Sequence, residues 1–140
     1  LFTAFTLIEE SKECCVVAKL LADNQHYKWA VYIAGYSIEF SLKALICKRK
    51  GFKTYPDEQS KYKKHDFNNL VNLADLRSDL KEYQDSNLEF QVNWSLTTDW
   101  SPDLRYEQFD PASSESRWLD FYDAITNEDS GVIVWLHSLI

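Results

Sequence analysis

The sequence predicts an all-α protein, an antiparallel up-and-down bundle of four to five main helices. Three observations carry this. The stretch Tyr27 to Lys50 places apolar residues on three sides at helical spacing. No segment alternates as a half-buried strand does, and no hairpin signal or internal repeat occurs. The join between the opening and central helices is only a few residues long, which implies an antiparallel pair. The 140 residues are read as a single domain, 1–140, long enough to bury a core.

In the opening segment, to about Asp23, Phe5, Ile8, Cys15, Ala18 and Leu21 or Ala22 fall near one face. Asp23-Asn24-Gln25 stops this helix, and the central one begins within a few residues. Along the central helix, Ala30, Ala34, Ser37, Ser41 and Ala44 form a small-residue stripe with larger apolar residues on both flanks. Its polar front is narrow: Lys28, Tyr32, Glu39, Lys43 and Lys50. At about 1.5 Å per residue the helix spans roughly 36 Å. Gly51 ends it behind a basic last turn.

A polar loop follows, and Asp66 is placed to cap a short helix whose Phe67, Leu70 and Val71 face inward. Ser78 to Gln84 is assigned a further turn or two. Ser86 and Glu89 match a capping box before a helix with Leu88, Val92, and Leu96 or Trp94 on its inner face. Pro102 pushes Ser101 towards extended backbone, so Trp100 to Tyr106 is expected as ordered loop. A last helix starts near Asp110 or Ser113 and runs through Trp118, Tyr122, Ile125, Val132, Leu136 and Leu139, bent at Gly131. Trp118, Trp135 and Ile140 exceed what one core seam needs, so a homodimer is expected.

The net charge of −7 hides an asymmetry. Lys43 to Lys64 holds eight basic and two acidic residues, +6, and everything else sums to −13. A polyanion would be repelled by most of the molecule and attracted to that segment. Phe52, Tyr55 and Tyr62 are interleaved with its lysines, a composition suited to base stacking plus phosphate contact. The alternative is a solvated loop. Cys14, Cys15 and Cys47 are read as reduced, buried thiols. No CxxC occurs and His26, His65 and His137 are scattered, so no metal site and no cofactor is assigned. No run approaches the roughly 18 consecutive apolar residues of a membrane span. The opening lacks the pattern of a signal peptide, and the chain contains no methionine, so its native start is expected upstream. A cytoplasmic location without membrane association is expected.

The segments AGYSIEFSLKALI (Ala34 to Ile46), His65-Asp66-Phe67 with Leu70, WSPDLRY (Trp100 to Tyr106) and the Val134-Trp135-Leu136 end of an apolar helix stand in an order that resembles the HEPN domain family. The resemblance implies an all-helical bundle, usually dimeric, of prokaryotic toxin–antitoxin, phage-defence and RNA-processing settings. Some members are endoribonucleases with an arginine followed, after four to six residues, by a histidine. Neither Arg49, Arg77, Arg105 nor Arg117 has a histidine at that distance. The motif is absent.

Three function classes stay open. The first is a non-catalytic interaction and dimerisation module, one half of a defence or toxin–antitoxin-like pair with a cognate protein partner. The second is an RNA- or nucleotide-binding protein using Lys48, Arg49, Lys50, Lys53, Lys61, Lys63 and Lys64. The third is a ribonuclease whose site is rearranged onto His65 and Arg105, a base and a cation for metal-free cleavage. The structural reading of His65 is a residue at a helix start. Glu39 and Lys43, at i and i+4, read as a surface pair worth about 0.3–0.5 kcal/mol. Alternatively Arg105 grips Glu39 and anchors the WSPDLRY loop, with Trp100 and Tyr106 packing beneath it.

Overall fold

The computed structural model of the protein describes residues 2–140 and is helical throughout, with no strand among the described residues. The described residues form seven α-helices where four to five main ones were expected: α1 (Ala4–Asp23), α2 (Tyr27–Lys50), α3 (Phe67–Leu73), α4 (Arg77–Ser86), α5 (Leu88–Thr97), α6 (Ser114–Thr126) and α7 (Val132–Ser138). A 3-10 turn, Pro102–Tyr106, takes the place of the expected loop, behind an extended Ser101. The all-α class holds, and the extra helices are short ones.

Helix α2 is the axis. It packs against α1, α3, α6, α7 and the 3-10 turn. Among the described residues it alone is long and apolar enough to cross a membrane, but 72% of its most apolar window is buried by those neighbours. Gly51 closes it at φ 71°, its N–H reaching Cys47 O, a left-handed conformation that glycine adopts without penalty. Asp66 caps α3 as its sequence position suggested, accepting from Asn69 N at 2.9 Å.

Three sequence expectations are overturned by what else the residues can bond or bury. Helix α5 is capped by Asn87, which accepts from Phe90 N at 3.0 Å, while Ser86 ends α4 and donates back to Tyr83 O. Its inner face is then Phe90, Asn93, Trp94 and Thr97, and Leu88, Val92 and Leu96 point outward. On α1 the buried residues are Leu7, Ser11, Ala18 and Ala22, and Phe5 is exposed. The last segment is two helices, because Asn127 accepts from Asp129 N and Ser130 N and so forms a turn before Gly131. Trp118 and Trp135 are both buried within the chain, so they supply no free seam for a second copy.

The small-residue stripe of α2 receives α1 and α7 through a polar contact. Ser11 Oγ lies 2.7 Å from Ser37 O and 2.8 Å from Ser41 Oγ, and Ser41 Oγ lies 2.9 Å from His137 Nε2. Ser41 Oγ also donates to Ser37 O at 2.8 Å, and Ser11 Oγ lies 3.3 Å from His137 Nε2. Both hydroxyls thus have the Ser37 carbonyl as acceptor, and with the imidazole they form one closed polar cluster in which each has a partner. Burial, with Lys12 nearby, holds the His137 imidazole below its ordinary pKa.

Candidate functional site

Glu39 was expected on the polar front of α2, yet its side chain is 2% exposed. The loop before α3 folds over it. His65 Nδ1 stands 2.8 Å from Glu39 Oε1, and Lys43 Nζ stands 3.0 Å from Oε2. A buried carboxylate needs such partners, and the pair supplies one to each oxygen. An ionised carboxylate only accepts, so His65 carries its proton on Nδ1 when neutral. Its Nε2 is then the nitrogen left to accept a proton, on a side chain that is half exposed. Lys43 also sits 5.1 Å from the centre of the Tyr55 ring. Burial raises the phenols of Tyr36 and Tyr55 above the ordinary tyrosine range.

Arg105 joins neither Glu39 nor His65. Its Nη1 donates to Pro102 O at 2.7 Å, its guanidinium lies 4.6 Å from the Tyr106 ring centre, and its own carbonyl accepts from Lys28. The expected bridge from Arg105 to Glu39 is thus replaced by a clamp inside the 3-10 turn, which is too short for the side chain to need a distant partner. Tyr106 is 75% exposed and packs beneath nothing. Trp100 does anchor the segment. Its ring stacks on Phe67 at 5.4 Å and 6°, meets Tyr36 edge-on at 5.0 Å, and lies over Gly35. A Cβ at residue 35 would come within 2.0 Å of the indole, so only glycine leaves room. The Trp100 Nε1 is buried without a hydrogen-bond partner.

The basic segment divides in two. Lys48 donates to Ile140 O at 3.2 Å, Arg49 pairs with Asp79 at 3.1 Å, and Lys50 approaches Asp75 at 3.9 Å. These three hold the end of α2 to its neighbours. Lys53, Lys61, Lys63 and Lys64 are exposed, and no ion pair involves them among the described residues. The aromatics between them are not free to stack on bases. Tyr55 and Tyr62 are buried, Tyr55 donates its hydroxyl proton to Tyr62 O at 2.6 Å, and Phe52 meets Tyr62 edge-on. Tyr55 N also donates to Phe2 O, tying the loop to the start of α1. Sequence reading missed this because a tyrosine among lysines looks solvated until the loop is seen folded on itself.

No three His, Cys, Asp or Glu side chains among the described residues are placed to hold a metal ion. The three cysteines are unpaired, and burial together with Cys15, Glu10 and Glu13 pushes the Cys14 thiol up to about 12. A thiol held protonated in this way is a poor nucleophile. The serine–histidine contact of Ser41 and His137 resembles an activated nucleophile only in residue type, since Ser41 is wholly buried and already donates within the bundle.

The described geometry is that of a helical scaffold with one carboxylate–imidazole pair and one unpaired basic loop. No curated protein and no solved structure matches the chain. A family model described as HEPN domain matches residues 4–129, nearly its whole length, and the chain belongs to the HEPN domain family.

Proposed function

We propose that this protein is a non-catalytic HEPN module that works through protein contacts, pairing with a second copy of itself in a prokaryotic defence or toxin–antitoxin-like setting. The observation that carries this is the outer face of α5. Leu88, Val92 and Leu96 recur every four residues and are 74%, 59% and 41% exposed. A row at that spacing is a ridge that packs against its own copy across a two-fold axis. Leaving it in water costs about 25 cal/mol for each Å² of apolar surface. Sedimentation at micromolar concentration is the test. A dimer that Val92→Glu with Leu96→Glu converts to a folded monomer supports the reading. A wild-type monomer overturns it.

A second reading, binding of single-stranded RNA or another polyanion, is favoured by Lys53, Lys61, Lys63 and Lys64. Because neither carboxylates nor carbonyls hold them, contact with phosphate breaks no existing ion pair. Each phosphate contact should lower log affinity against log salt by about 0.7, so three or four give a slope between roughly −2 and −3. Lys61→Glu with Lys63→Glu and Lys64→Glu should flatten that slope and leave the melting temperature nearly unchanged. Absence of RNA binding at about 50 mM salt, where screening is weak, would remove this reading and leave the first standing. A ribonuclease centre of His65 and Arg105 gains no support, since each is bonded to a different part of the fold.

A further inference from the structure

We propose that the open-mouthed cavity between α2, α5, α6 and the 3-10 turn binds a small planar ligand with a cationic amidine or amine group. This goes beyond both readings above and rests on neither, although Leu96 at its rim also belongs to the α5 ridge. The cavity has a volume of about 230 Å³. An apolar cavity of about 150 Å³ takes benzene, so this one has room for an aromatic ring and a short substituent.

Its walls and its rim differ in kind. Val31, Trp100, Leu104 and Phe121 line it, and all four are buried core residues contributed by three different elements. They are held from behind by packing that does not involve the cavity, as in the stack of Trp100 on Phe67. The hole is therefore built rather than left by mobile side chains. Leu96 of α5, with Asp99 and Asp120, stands at its exposed rim. Neither carboxylate forms an ion pair or a side-chain hydrogen bond among the described residues.

The cation that also lines the cavity, Arg117, does not neutralise them. Its Nη1 pairs with Glu107 at 3.5 Å and its guanidinium lies 4.0 Å from the centre of the Phe109 ring. Its charge is thus engaged outside the carboxylate pair. Two unpaired carboxylates beside an apolar slot select a ligand with an apolar body and a positive, hydrogen-bond-donating end. A phosphate or carboxylate ligand would meet charge of its own sign. The site is thus opposite in preference to the lysine loop, and the two sort ligands by sign.

Benzamidine is the probe: one ring bearing a planar cation. Titration into isotopically labelled full chain, followed by proton–nitrogen correlation spectra, should give saturating shifts at the Trp100 indole N–H and at the amides of Leu104 and Phe121. Benzoate, similar in shape and opposite in charge, should give none. Asp99→Asn with Asp120→Asn lies on the exposed rim and should keep the fold, checked by its melting curve, while weakening benzamidine by about tenfold or more. The proposal is overturned by absence of a saturable shift at about 10 mM, a concentration that corresponds to negligible affinity. It is overturned equally by benzoate binding as well as benzamidine, or by unchanged affinity in the double variant.

Discussion

Gly35→Ala adds a single methyl group to the middle of α2, where helix propensity alone predicts a gain of about 0.8–1.0 kcal/mol. The surroundings reverse the sign. The new Cβ would stand 2.0 Å from Trp100 Cε2 and Nε1, and 2.3 Å from Cδ2. Relief requires the indole to retreat by more than 1 Å or so, about the shortfall from ordinary carbon contact. Phe67 is stacked on it and Tyr36 is against its edge, so a retreat towards the neighbouring cavity breaks both contacts. Overpacking costs about 1–3 kcal/mol, and expulsion of a buried tryptophan about 3–5 kcal/mol. After the propensity gain the net loss should be about 2–4 kcal/mol. At about 2–4 °C per kcal/mol for a chain of this size, the melting temperature should fall by roughly 5–15 °C. Thermal unfolding followed by circular dichroism measures it. In a Trp100→Leu background the same substitution should cost at least about 1 kcal/mol less, because contacting sites are non-additive. An alanine variant as stable as the wild type, or an equal loss in both backgrounds, would refute the assignment of the clash to Trp100.

Two further outcomes follow from buried polar groups. Glu39→Gln leaves Lys43, with only 12% of its side chain exposed, without a counter-charge and should cost about 2–4 kcal/mol. His65→Ala should cost less, about 1–2 kcal/mol, and both should speed proteolysis of the loop between Gly51 and Asp66, read by timed digestion. For His137 the folded imidazole titrates below the ordinary 6.5. The unfolded chain therefore takes up the proton first, and stability is full above 6.5 and declines as pH falls through 6.5 towards the lower folded value. Urea denaturation at about pH 7 and about pH 5.5 should show a larger loss for the wild type than for His137→Gln. Equal losses would place the pH dependence elsewhere.

The features legible in the sequence were those with a local cause. Gly51 and Asp66 terminate and cap helices by rules that involve only their neighbours, and α2 announces its central place by being apolar on three sides. What stayed hidden depended on a partner distant in sequence. Asn93 is buried because Ser130 accepts its amide protons at 3.0 Å through the carbonyl and 3.1 Å through the hydroxyl, and that bond turns α5 so that Phe90 and Trp94 go in and three aliphatics go out. Ser11 reads as polar surface until its acceptor on α2 is known. Glu39 looks like half of an ordinary helix-surface pair, since nothing in its own helix foretells that His65 will close over it. The candidate cavity was illegible altogether. Its walls come from positions 31, 96–104 and 117–121, which share no pattern along the chain.

The buried cluster of Ser11, Ser41, His137 and the Ser37 carbonyl has a consequence for how the three helices choose one alignment. Apolar packing along a stripe of alanines and serines is nearly indifferent to a slide of one helical turn, because small residues recur on the stripe every three or four positions. The polar cluster is not indifferent. Ser11 reaches Ser37 O and Ser41, and His137 reaches Ser41, so a slide of α7 or α1 by a turn would part these groups and leave polar atoms unpartnered in the interior. The polar atoms act as a notch cut in an otherwise smooth rail. Their chief effect is to reject misaligned bundles of similar apolar burial, so that α7, far along the chain, shares a single register with the adjoining pair α1 and α2.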